Sequence, residues 1–350
     1  MTDPSSDAEK REAFSRKMTD ILNGGAINLA MAIGYRTGLF DAMDRLDAPR
    51  TASAISEAAG LAERYVREWL GVMVAGGIVE LFPDPADDDR FFLPKAHAHL
   101  ITRRAGNANV GVYTQEIPLL TRCALEPVVR GFATGEGDFY EHYPGFQSFM
   151  AELSNAKHRE VLVDRFLPSV DGGRLVSRLE AGISVCDLGC AEGVAVLLMA
   201  EAYPRSRFTG IDISETVIEV ARERAARQGI QNAAFVQAIH DQTRPLEALT
   251  GVRRILKPGG AFSMIDIAAD SSLAENLDHP HAPFLYTVSL MHCMPVGLAD
   301  GGAGLGMMWG RQQAVALLQA AGFSDVDVQE IPDDPFNLHF FCRKTNPEDG

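Results

Sequence analysis

From Arg11 to about Leu46 apolar positions recur at helical spacing, with Phe14, Met18, Ile21 and Leu22 at i, i+4, i+7 and i+8. Gly24-Gly25 is expected to break this helix, and Ala26–Tyr35 to resume it. Residues 1–10 are polar and acidic and read as disordered. Thr51–Gly60 predicts a short helix with a glycine stop, and Leu61–Ala75 a second one with Leu61, Tyr65, Trp69 and Val72-Met73 on one stripe. Ile78–Phe82 reads as a strand, Pro83–Arg90 as an acidic turn and Phe91–Leu93 as the return strand. Residues 101–170 are mixed, with glycines around Gly131–Gly137, aromatics at Phe139, Tyr140, Tyr143, Phe146 and Phe149, and helical patterns over Ser148–Phe166.

Beyond Pro168–Gly173 the pattern changes. Short apolar runs alternate with helical stretches, the order of a parallel α/β sheet. Ile183–Leu188 is a buried strand running into a turn of small residues, Gly189, Ala191 and Gly193, and then the helix Val194–Ala202. Phe208–Ile213 is a second strand, ending in Asp212 and Ile213. Ser214 is placed to cap helix Glu215–Gln228, which Gly229 closes. Ala233–Asp241 is a single strand-like run. A helix, Leu246–Leu256, then leads through Leu-Lys-Pro-Gly-Gly into strand Ala261–Ile267. Arg311–Ala321, Val326–Glu330 and Asn337–Arg343 supply a last helix and two strands.

Strand, tight turn and helix in that order place a nucleotide-like ligand at the carboxyl end of the strand, where free helix N–H groups and small residues admit it. Asp212, about 20 residues beyond the turn, can accept from both hydroxyls of a ribose. The turn is Gly-x-Ala-x-Gly rather than Gly-x-Gly-x-x-Gly, which disfavours a nicotinamide oxidoreductase. Asp187-x-Gly-x-Ala-x-Gly193 and Leu256–Gly260 instead resemble motifs of the class I S-adenosylmethionine-dependent methyltransferases. The resemblance covers roughly Ile183 to Lys344. It implies a Rossmann-like sheet, S-adenosylmethionine as cofactor, and Asp187, Gly189, Ala191, Gly193, Asp212 and Ile213 as the residues around it. Ala191 stands where the family has glycine. The family also has two strands between the Asp212 position and the Lys-Pro-Gly-Gly turn, where this chain has one, so the sheet is expected to be a strand short. In the family strand order 3-2-1-4-5-7-6, losing strand four would leave a gap of about 9.6 Å in the sheet centre. Ala233–Asp241 is therefore expected beside Ile183–Leu188. The competing arrangement pairs it with Phe208–Ile211, exposes strand one, and favours a catalytically weak or inactive methyltransferase-like binding or regulatory protein.

Helix, turn, helix and hairpin in residues 11–100 give the winged-helix order. Charge decides against DNA: residues 1–100 hold 11 Lys and Arg against 16 Asp and Glu, and Asp84–Asp89 at the wing tip contains four aspartates. The module instead resembles the dimerisation domain of small-molecule O-methyltransferases. The expected organisation is a winged-helix and dimerisation domain over 11–100, a helical connector over 101–170 and an S-adenosylmethionine-binding domain over 171–345.

A net charge of −15 also opposes polyanionic partners. Five scattered cysteines, with no Cys-x-x-Cys pair, suit a reducing compartment. The expected setting is the cytoplasm, with no membrane or nucleic-acid partner and a homodimer acting on a small molecule. Methyl transfer to a hydroxyl needs a base. His240, just after the Ala233 run, is one candidate; it is equally placed to lie beside the adenine or methyl group, or merely to adjoin a cap formed by Asp241 or Thr243. His292, in a segment rich in His and Met, is the second. His279, His281, His292 and Cys293 match no standard zinc spacing, so no metal is expected. Gly297–Trp309 has the glycine density of a mobile cover.

Overall fold

The structure, a computed structural model, describes residues 4–85, 88–237, 243–332 and 334–344. It divides into two compact units, Met1–Pro118 and Leu119–Gly350.

The first unit begins with one helix, Pro4–Thr37, which starts inside the segment read as disordered and runs through Gly24-Gly25 without a break. Each glycine costs about 1 kcal/mol of helix propensity, but packing of the following turns outweighs it. Ala30, Ala32 and Tyr35 are buried, and Trp69 donates its indole N–H to Ala30 O at 2.8 Å. Gly34 lies directly under that indole, where a Cβ would strike the ring. The helix stops only at Gly38, whose φ is 74°. Helix Ala52–Ala59 is capped by Thr51, whose hydroxyl accepts from Ala54 N, and it ends on left-handed Gly60. Helix Glu63–Ala75 follows. Strands β1 (Arg50–Thr51), β2 (Glu80–Phe82) and β3 (Arg90–Phe92) form an antiparallel sheet in the order β1-β3-β2, which completes a winged helix. Arg64 pairs with Glu68, and Arg67 with Glu63 at 2.7 Å and Asp88 at 3.1 Å. The cations of the second helix are thus met by the chain's own carboxylates.

In the second unit β4 (Ser184–Leu188), β5 (Arg207–Asp212) and β6 (Ala233–Gln237) form a parallel sheet in sequence order. Strands β7 (Ala261–Ile267), β8 (Val326–Ile331) and β9 (Asp334–Arg343) form a second sheet in the order β7-β9-β8, antiparallel throughout. The expectation that the Ala233 run lies beside β4 is not met: Phe208 faces Ala233 and Asp212 faces Gln237. Helix Glu215–Gln228 returns the chain to the neighbouring position, and the residues between Gly229 and Ala233 are too few to carry it past β4.

No strand among the described residues pairs with the far edge of β4 or of β7. Arg207 N donates to Ile183 O and Gly189 N to Ile211 O, so the odd-numbered residues of β4 bond to β5. The backbones of Ser184 and Cys186 therefore face the open edge, and both residues are exposed. On β7, Lys344 N donates to Gly260 O and Ala268 N to Phe336 O, which turns Ser263 and Ile265 outward. These too are exposed, Ile265 by 49 %. Side chains bridge what the backbone does not. Leu188 packs with Leu249, Val252, Leu318, Phe340 and Met264, while Phe341 joins Phe166, Leu197, Phe208 and Phe235.

Hydrogen exchange reads this arrangement directly. The amides of Ser184 and Cys186 should exchange much faster than those of Val185 and Asp187, which donate into the ladder. Equal protection across the four would show that another strand fills the edge.

Candidate active site

The turn after β4 is shaped by two positions that need unusual backbone. Gly189 has φ 78°, and a Cβ built on it would meet nothing within 4 Å, so open space lies in front of it. Gly193 has φ 73°, and there a Cβ would stand 2.5 Å from the Phe235 ring and 2.9 Å from Ala221 Cβ. Glycine at 193 lets helix Val194–Ala202 start flush against the sheet. Gly189 N and Cys190 N both donate to Ile211 O, at 2.8 and 3.0 Å, which ties the turn to the end of β5. Ala191 takes a left-handed φ of 45°, which costs a residue with a side chain about 1 kcal/mol. Its N–H donates to Asp212 Oδ2 at 2.9 Å, and Ser214 N–H donates to Oδ1 at 3.0 Å. Ser214 itself makes no side-chain cap, contrary to expectation; Asp212 takes its N–H instead.

These residues can be tested against the cofactor that the resemblance implies. Among the described residues each oxygen of Asp212 has one backbone donor, which leaves a lone pair on each for the two hydroxyls of a ribose. Asp187 has no hydrogen-bond donor among the described residues, and burial, followed by the charge of Asp212, pushes its carboxyl up to about 6. A buried carboxylate without a partner suits the ammonium group of an amino-acid moiety. The space at Gly189 admits backbone-close approach, and Ile213 is half exposed beside Asp212. The residues present fit S-adenosylmethionine: Asp187 and the turn Gly189, Ala191 and Gly193 would hold its methionine end, with Asp212 and Ile213 along the nucleoside.

His292 sits in a π-helical turn, Ser289–Cys293, and is 7 % exposed. Phe146 stacks on its ring with centroids 3.9 Å apart, Tyr143 meets it edge-on at 4.7 Å and Tyr140 at 5.8 Å. Nδ1 lies 3.6 Å from Cys293 Sγ, while Nε2 is buried without a partner. Burial holds this imidazole down to about 4, so it is neutral at ordinary pH. Burial raises the phenol of Tyr140, and the charge of Asp212 raises it further. The aromatic run is visible in the sequence, but nothing there signals that it packs around a residue about 150 positions away.

His240 lies outside the described residues. Helix Pro245–Ile255 has Arg244 at its N-cap with no side-chain cap, so Thr243 does not serve there. His279 is held by Ala268 O at Nε2 and by His281 N at Nδ1, and His281 stacks on Phe336 at 4.5 Å. No metal-binding group of His, Cys, Asp and Glu occurs among the described residues. The loop Gly297–Trp309 is tied down by Ala303 N to Thr243 O, Gly304 N to Gly297 O and Met307 N to Ser289 Oγ, which is not the bonding of a loose cover. One group that sequence reasoning missed is Asp266 on β7, pushed up to about 6 by burial and held by Trp309 Nε1 at 2.9 Å. Its only sequence signal was an acid near the end of an apolar strand.

Residues 25–103 match the model of the Rv2258c-like winged HTH domain, and residues 179–239 match a methyltransferase domain. A ubiquinone/menaquinone biosynthesis C-methyltransferase of Desulfotalea psychrophila is 26% identical over 179 residues, 45% of this chain and 72% of that one. The mitomycin biosynthesis 6-O-methyltransferase of Streptomyces lavendulae is 26% identical over 225 residues, 63% of this chain and 62% of that one. Human N-acetylserotonin methyltransferase, solved in complex with SAM, superposes with a TM-score of 0.65 at 16% identity, covering 95% of this chain and 98% of that one. The chain thus joins a winged helix-turn-helix domain to a methyltransferase domain, and its fold is that of the class I S-adenosylmethionine-dependent methyltransferases.

Proposed function

We propose that this protein transfers the methyl group of S-adenosylmethionine to a hydroxyl of a small molecule. The observation that carries the reading is Asp212, held at the end of β5 by two backbone donors, which among the described residues leave a lone pair on each oxygen. The curated O-methyltransferase relatives, which include an erythromycin 3''-O-methyltransferase of Saccharopolyspora erythraea as well as the mitomycin enzyme, point to oxygen as the acceptor. They give no support to a non-catalytic role.

When bound, S-adenosylmethionine would supply an electrophilic methyl on a sulfonium, so that the C–O bond to the acceptor forms in line as the C–S bond breaks and the sulfur leaves as a neutral thioether. This chain's residues position the pair and receive a proton. Asp187 and the Gly189–Gly193 turn hold one end of the cofactor, Asp212 and Ile213 the other. His292 Nε2 is the proposed proton acceptor. A base with so low a pKa does not ionise an alcohol beforehand, but the hydroxyl becomes strongly acidic as its oxygen acquires the methyl, so a weak base suffices at that stage. The ring wall of Tyr140, Tyr143 and Phe146 keeps bulk water from the imidazole. His240 remains the second candidate for the same task.

The winged-helix segment, residues 11–100, is proposed to make a homodimer. Phe14, Ile21, Leu22, Leu29 and Ile33 are all exposed on helix Pro4–Thr37, a large apolar strip for a single chain to leave in water. The five cysteines are all free thiols, which supports a reducing, cytoplasmic setting.

Three measurements test these statements. Asp212→Ala should weaken S-adenosylhomocysteine binding in calorimetry by about 1.5–3 kcal/mol, the range for hydrogen bonds to a charged group; unchanged affinity in a folded variant would sink the assignment. Asp187 predicts proton release. Its raised carboxyl favours the folded apo protein fully below pH 3.8 and loses that contribution as pH rises through about 6. A ligand ammonium beside it draws the proton off, so binding near pH 6 should release roughly half a proton and near pH 8 none. Calorimetry in buffers of different ionisation heat reads this, and equal release at both values would remove Asp187 from the site. Light scattering should give twice the chain mass at micromolar concentration; a monomer would refute the dimer.

A further inference from the structure

The segment that carries His292 contains a built-in defect. Pro295 has no N–H, so the carbonyl four residues earlier, that of Met291, has no α-helical donor. Around this point the backbone widens into the π-turn Ser289–Cys293, and such turns in α-helices often mark functional sites. This carbonyl is met from far away in the chain: Tyr143 donates its hydroxyl to Met291 O at 3.0 Å, in a buried setting. A second carbonyl is met by the same strap, since Asp138 N donates to Pro295 O at 2.9 Å. Gly137 permits the approach; a Cβ there would strike the Pro295 carbonyl and stand 2.6 Å from Ala299 N. Residues 137–146 are thereby fastened to the turn on both sides of His292, with the Phe146 and Tyr143 rings against the imidazole.

We propose that Tyr143 is a positioning residue for His292: by donating to the carbonyl that Pro295 deprives of its α-helical donor, its hydroxyl fixes the π-turn and so the direction of the uncommitted Nε2. The proposal rests on His292 as the proton acceptor. If the hydroxyl is removed, the Met291 carbonyl loses its buried side-chain donor, and water drawn in to replace it reaches the imidazole as well. The ring contacts of Tyr143 do not supply this function, because they survive loss of the oxygen. The titratable groups facing His292 are Tyr140, Tyr143 and Cys293, with Asp138 and Cys123 acting on Tyr143 from behind.

The test uses the full chain saturated with S-adenosylhomocysteine and labelled in the histidine rings, with the His292 resonance identified by its loss in His292→Gln. In the parent protein this ring should stay neutral to about pH 4. Tyr143→Phe should raise its midpoint by about one unit, toward the unperturbed value of roughly 6.5, with S-adenosylhomocysteine affinity unchanged within about twofold (~0.4 kcal/mol). Pro295→Ala added to Tyr143→Phe returns an N–H for Met291 O and should bring the midpoint back. An unmoved midpoint in Tyr143→Phe, or no recovery in the double variant, overturns the proposal. So does loss of S-adenosylhomocysteine binding in Tyr143→Phe, which would make the hydroxyl a support of the whole unit. The functional reading fails separately: if His292→Gln methylates an accepted phenol or alcohol as fast as the parent, His292 is not the base, whatever the titrations show.

Discussion

A parallel strand is placed beside its neighbour only by a crossover long enough to pass over the sheet, and the second unit is organised by the lack of one. Among the described residues between β6 and β7 there is a single helix, Pro245–Ile255, and the 23 residues from 238 to 260 are too few to add a parallel strand with its own crossover of about a dozen residues. Two three-stranded sheets result, and among the described residues β4 and β7 each have one edge unpaired. What replaces the backbone ladder is packing and a few polar ties. Leu188 reaches into the core of one half and Phe341 into that of the other, Lys157 pairs with buried Asp334 at 2.7 Å, and Arg343 pairs with Asp171. Exposed edges invite pairing with other chains. Here the outward residues of β4 are Ser184 and Cys186, both small.

The open edge leaves the cofactor half intact. Asp187, the turn and Asp212 all belong to β4, β5 and the segments between them, and Gly193 is packed against Phe235 of β6. Of these, β5, which ends in Asp212, is paired on both sides, while β4 is paired on the side that carries the turn toward Asp212. The His292 turn, proposed as the source of the proton acceptor, lies outside those strands, and the strap of residues 137–146 reaches it without using the sheet.

Much of this was legible in the residues. The strand, turn and helix around Gly189, and Asp212 at the end of the next strand, follow from local period and local backbone demands, which a sequence states directly. So does the winged helix, whose caps at Thr51 and Gly60 are local. What escaped was set by distant partners. Gly24-Gly25 reads as a break, because nothing near it reveals that Trp69 packs on Gly34 and donates to Ala30 O. The glycines of 297–306 read as slack, yet they are where backbone meets backbone: a Cβ on Gly302 would collide with Thr243 and with the Gly297 carbonyl. The place of Ala233–Gln237 beside β5 is set by the length of the connection, which outweighs the cost of a central gap. Chain length was the harder constraint.

Ala191 has a consequence for how binding energy is spent. Its methyl costs the left-handed turn about 1 kcal/mol that glycine would not. The same methyl narrows the conformations open to the chain when the turn is not formed, which glycine would leave wide. The N–H of Ala191 is already committed to Asp212, so the turn and the acidic group are set relative to one another before any ligand arrives. A preorganised turn of this kind trades intrinsic stability for a smaller ordering cost on association.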